Sequence, residues 1–135
     1  MTEIRKVLLV DDDEDIRTIG QMALHDVGGL DTFLAAGGEA ALEVAAREQP
    51  DVILLDVMMP EMDGPTTFRR LREGEATAAI PVVFVTAKVQ RHEVQRYLGM
   101  GVVGVICKPF DPMTLPDELR RIVTQSQQDQ QEQER

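Results

Sequence analysis

Five short apolar runs punctuate the chain, and each is followed by a segment whose apolar residues recur at helical spacing. Val7-Leu8-Leu9-Val10 and Val52-Ile53-Leu54-Leu55 are uninterrupted aliphatic runs, the pattern of strands buried on both faces of a parallel sheet. Val82-Val83-Phe84-Val85, introduced by Pro81, and Val102-Val103-Gly104-Val105-Ile106-Cys107 read the same way. Thr32-Phe33-Leu34-Ala35 is shorter and weaker, which suits a sheet edge. Ile16, Ile19, Ala23, Leu24 and Val27 mark the inner face of a first helix, stopped by Gly28-Gly29. Gly37-Gly38 opens an alanine-rich helix over 39–48, closed by Pro50. Asp63-Gly64-Pro65 starts a third, with Phe68 and Leu71 inward and Gly74 beyond its end. A polar fourth helix covers 91–98, and Thr114-Leu115-Pro116-Asp117 caps a fifth with Leu115, Leu119, Ile122 and Val123 inward. Strict alternation of strand and helix predicts an α/β fold: a five-stranded parallel sheet, right-handed crossovers and helices on both faces.

Length and composition bound this picture. With 135 residues, 43% of them hydrophobic, the chain suits one globular domain over 5–124. From Gln125 onward the composition collapses to Gln, Glu, Asp and Ser, so the polar tail 125–135 has nothing to bury and most of it is expected to be disordered. No apolar run approaches the roughly 20 residues of a membrane span, and the charged N-terminus leads into no signal-peptide pattern, so no membrane insertion is expected. Cys107 has no second cysteine to pair with and follows Val105 and Ile106, which predicts an inert buried thiol in a reducing, cytoplasmic setting. The 24 acidic residues outnumber the 14 basic ones, and the formal charge of −10 argues against direct nucleic-acid binding. It leaves room for a cation site or for basic protein partners.

Candidate chemistry collects at the strand ends, where open parallel sheets form their sites. Asp11-Asp12 follow the first strand, Asp56 the third, Thr86 the fourth and Lys108 the fifth, so four of the five strands deliver a polar group to one edge. A turn aspartate near Pro60 and Gly64 is the plain reading of Asp56 alone; the other strand ends argue against it. Two unit charges about 4 Å apart repel by roughly 4 kcal/mol at an effective dielectric of 20. Three carboxylates relieved by one lysine therefore call for a divalent cation. All-oxygen ligands without paired Cys or His favour Mg2+, with Mn2+ as a substitute, and the backbone carbonyl of Met58 could complete the shell. A carboxylate beside such an ion, a lysine and a hydroxyl suits phosphoryl transfer, with Asp56 as nucleophile and Thr86 and Lys108 stabilising the phosphoryl oxygens.

Taken together, these residues resemble the receiver domain of two-component response regulators over 5–123. The resemblance rests on Leu8-Leu9-Val10-Asp11-Asp12-Asp13, Leu54-Leu55-Asp56-Val57-Met58-Met59-Pro60 with Met62-Asp63-Gly64, Val85-Thr86-Ala87 and Lys108-Pro109-Phe110. It implies a flavodoxin-like, doubly wound (βα)5 fold with strand order 2-1-3-4-5. It further implies that Asp56 is the phosphoacceptor, Asp12 a direct metal ligand and Asp11 a ligand through water. By the same resemblance Thr86 is the switch hydroxyl, Lys108 contacts phosphate, and the Lys108–Pro109 bond is cis. The implied partners are a histidine kinase or histidine phosphotransfer protein and a downstream protein target, the domain being a stand-alone monomer or a phosphorylation-dependent dimer. Such a domain is a signalling phosphoacceptor and not an enzyme acting on other substrates. Two features depart from the family. Val105 stands where a switch aromatic is common, and Met58 and Lys88, at the positions that tune dephosphorylation, suit a persistent phosphorylated state.

Three other functions fit less well. A metal-dependent phosphohydrolase working through an aspartyl-phosphate needs a second Asp two positions after the nucleophile, where Met58 stands. A flavin-binding module of this topology needs a phosphate cradle after the first strand, where three aspartates repel phosphate. A degenerate receiver kept for protein contacts has no need of the complete polar set. Elsewhere plain readings prevail: Asp13, Glu14 and Asp15 suit a helix N-terminus, His25 and His92 the surface, and Met58, Met59 and Met62 packing or partner contact. Tyr97 is expected half-buried, and Arg69, Arg70 and Arg72 on a solvated face.

Overall fold

The computed structural model describes residues 3–133. Strands β1 (Lys6–Val10), β2 (Asp31–Ala35), β3 (Val52–Asp56), β4 (Val82–Thr86) and β5 (Gly104–Cys107) alternate with helices α1 (Glu14–Gln21), α2 (Gly38–Glu48), α3 (Gly64–Glu73), α4 (Arg91–Met100) and α5 (Leu115–Gln133). All strand pairs are parallel, in the order β2-β1-β3-β4-β5. This is the order expected of the (βα)5 fold. The aliphatic runs of β3 and β4 are buried along their whole length, whereas edge strands β2 and β5 are only partly covered.

Strand alternation divides the core into two layers. Leu8, Val10, Ile53, Leu55 and Phe84 face Ala41 and Ala45 of α2, Phe68 and Leu71 of α3 and Tyr97 of α4. Val7, Leu9, Leu54, Val83, Val85 and Ile106 face Ala23 and Leu24 on one side and Leu115, Leu119 and Val123 of α5 on the other. Each fully buried aliphatic side chain contributes about 1.5–3 kcal/mol, so the two layers hold the sheet and leave its polar edge to the loops. Asp13 caps α1 through the Asp15 and Ile16 amides, and Asp63 caps α3 through the Thr66 amide.

Several local expectations need correcting. The first helix turns π-helical over Met22–Val27, and the wider turn shifts its periodic face. Ala23 and Leu24 stay buried, while Val27 is exposed at 48%; Ile19, which precedes the π-helical turn, is exposed at 42%. Tyr97 is buried, set edge-on against Phe84 with ring centroids 5.1 Å apart, in the core layer that also holds Phe68. Cys107 is exposed, since alternation at the end of an edge strand buries Ile106 and turns its neighbour outward. Arg72 is only partly exposed: its guanidinium covers Phe68 at 4.5 Å and donates to the Ile80 carbonyl at 3.0 Å. α5 continues to Gln133, across most of the stretch for which composition suggests disorder. Gln and Glu are good helix formers, and extending an already nucleated helix fixes few dihedrals per hydrogen bond. Residues 134 and 135 of the expected tail lie outside the described residues. Among the described residues no helix is long and apolar enough to cross a membrane.

Candidate functional site

The C-terminal ends of β1 and β3 are neighbours in the sheet, Val10 pairing with Leu55. That pairing brings the carboxylates that follow them together: oxygens of Asp11, Asp12 and Asp56 lie within 4.8 Å of one another. Asp11 and Asp56 are buried, and Asp12 is exposed. The loop after β1 is held in shape from two sides. The Asp13 amide donates to Asp11 Oδ1 at 2.9 Å, and the Arg17 guanidinium reaches back from α1 to the Asp11 carbonyl at 2.8 Å.

Lys108 comes from the far side of the sheet. β5 pairs with β4 so that Thr86 lies opposite Cys107, and the Lys108 amide donates to the Thr86 carbonyl at 2.9 Å. From there Lys108 Nζ donates to Asp11 Oδ2 at 2.8 Å and lies 3.4 Å from Asp56 Oδ1. The Lys108–Pro109 peptide bond is cis, as expected. Thr86 is buried, and its hydroxyl accepts from the Lys88 amide at 3.1 Å.

Electrostatics follow from this packing. Burial, followed by the charge of Asp11, pushes the Asp56 carboxyl up to about 6, against the opposing pull of Lys108 and the Met58 amide. Burial works against the Lys108 ammonium, but its bond to Asp11 and the charges of Asp56 and Asp11 outweigh it and hold its pKa above the ordinary value. One ammonium cannot neutralise three carboxylates. The donor set is all oxygen, with no thiol or imidazole in the cluster, and so fits a hard divalent cation.

The β3–α3 loop is closed onto this site by Gly64. A Cβ there would fall 2.6 Å from the Asp56 carbonyl oxygen and 2.8 Å from Val57 Cα, so only glycine lets the loop approach this closely. In that loop Met58 is 65% exposed and Met59 is buried.

All the polar strand-end residues singled out from the sequence thus reach one edge of the sheet, with Asp11, Asp12, Asp56 and Lys108 in one cluster. Arg17 was not anticipated; its only sequence signal is a lone cation in the first helix after the acidic run. Val105 lies opposite Phe84 in the β4–β5 pairing and packs, partly buried, against the layer that holds Tyr97.

Comparison with known proteins agrees with this architecture. The family model described as "Response regulator receiver domain" matches residues 7–120. The regulatory protein PhoP of Bacillus subtilis is 35% identical over 91% of this chain, which spans 50% of PhoP. The chain thus spans about half or less of the first curated relatives it matches, including 26% of AtoC of Escherichia coli. An uncharacterised 14.6 kDa protein of Leptolyngbya boryana is 36% identical, with 88% of this chain and 87% of that protein covered. Among solved structures, chemotaxis protein CheY4 of Vibrio cholerae superposes with a TM-score of 0.81 at 34% identity, covering 88% of this chain and 98% of that one. The chain belongs to the response regulator receiver domain family.

Proposed function

We propose that Asp56 accepts a phosphoryl group, with Mg2+ held by Asp12, Asp56, the Met58 carbonyl and, through water, Asp11. The observation that carries this reading is the buried Asp56 carboxylate, raised to about 6 and set 3.4 Å from Lys108 Nζ beside two further aspartates. Burial destabilises the ionised carboxylate, which makes it more basic and readier to form a bond to phosphorus. An Asp56 oxygen attacks the phosphorus of a phosphohistidine on a histidine kinase or phosphotransfer protein. The new P–O bond forms as the P–N bond breaks, and the departing imidazole takes up a proton. Lys108 then carries its charge to the phosphoryl oxygens, and the Thr86 hydroxyl turns to donate to one of them. The cation, when bound, neutralises charge on the transferred group.

Asp56 phosphorylation draws Thr86 inward and shifts a pre-existing equilibrium on the surface formed by α4, β5 and α5, so that a cytoplasmic partner is engaged or the phosphoryl group is relayed onward. Met58 is exposed and apolar, and Lys88 is exposed and basic. Neither orients a hydrolytic water, so the phosphorylated form persists well beyond seconds. The test is intact-mass analysis after Mg2+ and acetyl phosphate. Wild type gains one phosphoryl group and Asp56→Asn gains none; an unmodified wild type, or equal modification of both, contradicts the reading.

A further inference from the structure

Arg17 is the only lysine or arginine between Lys6 and Arg47, and it stands just after the acidic run Asp11-Asp12-Asp13-Glu14-Asp15. It lies in the opening turn of α1, near the positive end of the helix dipole, where a cation gains nothing from that dipole. Five carboxylates precede it within six residues, yet among the described residues it forms no ion pair. Its half-buried guanidinium donates instead to the backbone carbonyl of Asp11 at 2.8 Å. A cation placed only to balance charge would meet a carboxylate; this one meets a peptide.

That bond matters because the two aspartates after β1 are held so differently. Asp11 is fixed at four points: its amide donates to the Ala35 carbonyl at 3.1 Å, its carbonyl accepts from Arg17, Oδ1 accepts from the Asp13 amide and Oδ2 from Lys108. The Asp12 carboxylate is exposed and, among the described residues, has no hydrogen-bond or ion-pair partner. Its direction is therefore set by the backbone on either side. The Asp13 side is pinned by the α1 cap, in which Asp13 Oδ1 accepts from the Asp15 and Ile16 amides. The Asp11–Asp12 peptide is pinned by Arg17. Gly20 lies one turn further along α1, where a Cβ would collide with the Leu9 side chain. The helix thus sits close enough to β1 for Arg17 to reach back.

We propose that Arg17 is a positioning residue for the divalent cation: by holding the Asp11 carbonyl it fixes the Asp11–Asp12 peptide and aims the Asp12 carboxylate into the site. Arg17 touches neither the cation nor the phosphoryl group and acts only through this peptide. Groups that orient metal ligands in this way are worth about ten- to a hundredfold in metal affinity. Electrostatically the arginine works the other way, since a positive charge near the site repels Mg2+. The two effects have opposite signs, and that separates them. Removing Arg17 weakens Mg2+ binding if it positions Asp12 and strengthens it if its charge alone counts. The inference rests on the cation site of the receiver reading, and its test needs no phosphoryl group.

Mg2+ alone is titrated calorimetrically into the metal-free full chain. Arg17→Met, which removes the donor and the charge but keeps an unbranched stem, raises Kd at least about tenfold. Arg17→Lys, which keeps the charge on a shorter side chain without the guanidinium fork, raises it at least about threefold. Arg47→Met, which removes an exposed cation of α2 paired with Glu48, changes it by less than about twofold. Added to Asp12→Ala, Arg17→Met has less than about twofold further effect, because the residue through which it acts is gone. A Kd at or below the wild-type value in either Arg17 variant, or the full loss repeated on top of Asp12→Ala, overturns the proposal. Should Arg17→Met not fold, Arg17→Lys carries the test. A wild type that binds no Mg2+ removes the cation site and this proposal with it, whereas a wild type that binds beside unchanged Arg17 variants removes the role of Arg17 alone. Phosphoryl transfer to Asp56 is read separately, by the mass shift.

Discussion

Two concentrations of like charge meet at the end of β4, and they are built in opposite ways. On one side Asp11, Asp12 and Asp56 gather within 4.8 Å, two of them buried. On the other, Lys88, Arg91 and Arg96 spread along an exposed helix and its preceding loop. Burial makes the first concentration costly, and the cost is visible as the rise of Asp56 to about 6. Water screens the second, which therefore stores little energy in the fold. Like charge buried together points to an ion or to chemistry; like charge left exposed costs the fold little and points to neither.

The largest expected effect falls on the core that supports both regions. Phe84 is fully buried and edge-on to both Phe68 and Tyr97, so Phe84→Ala should cost about 3–5 kcal/mol in urea denaturation. A loss below about 1 kcal/mol would mean that α3 and α4 do not share this anchor. Next comes the cation. Mg2+ at a hundredfold excess over its dissociation constant should stabilise the protein by about 2.7 kcal/mol, read as a rise in Tm, and Asp12→Ala should remove most of that rise. An equal rise in the variant would place the ion elsewhere.

The pH dependence of the metal-free protein is the third. Asp56 has a folded pKa raised above its unfolded value of 3.8 to about 6. Between those values the folded state holds the proton and the unfolded state releases it, so this group's contribution declines as pH rises from about 4 to about 6. Asp56→Asn should flatten that part of the profile and raise stability at pH 7 by about 3 kcal/mol. A profile with the same slope in the variant would assign the proton to another group. The smallest effect belongs to the exposed side of the comparison. Arg91→Glu should change the stability of the isolated protein by less than about 0.5 kcal/mol, and a larger change would show that the α4 cations serve the fold.

What could be read from the sequence divides along the same line. The uninterrupted aliphatic runs ending at Val10 and Leu55 revealed β1 and β3, and the polar residues beyond them revealed which edge of the sheet matters. Those signals are local, because a doubly buried strand must be apolar and its end is where polarity first becomes affordable. Tyr97, Arg72 and Cys107 were misjudged because their burial depends on how a helix lies on the sheet or on which face of an edge strand is left uncovered. The π-helical turn over Met22–Val27 leaves no signature in an apolar spacing of α-helical period. Arg17 and Gly64 act through backbone atoms of the loops just before their helices, Asp11 and the Asp56–Val57 peptide, and such contacts leave no periodic trace. The polar helix to Gln133 shows that composition without a buried face does not by itself exclude a helix continued from a packed one.

The central claim is that the buried, charge-crowded carboxylate of Asp56 is the one that takes the phosphoryl group. Borohydride reduction of the acetyl phosphate-treated protein, in the presence of Mg2+, converts an acyl phosphate to an alcohol that peptide mass spectrometry can locate. The expected result is a single reduced residue at Asp56. Reduction at Asp11, Asp12 or any other carboxylate, with Asp56 intact, would contradict it.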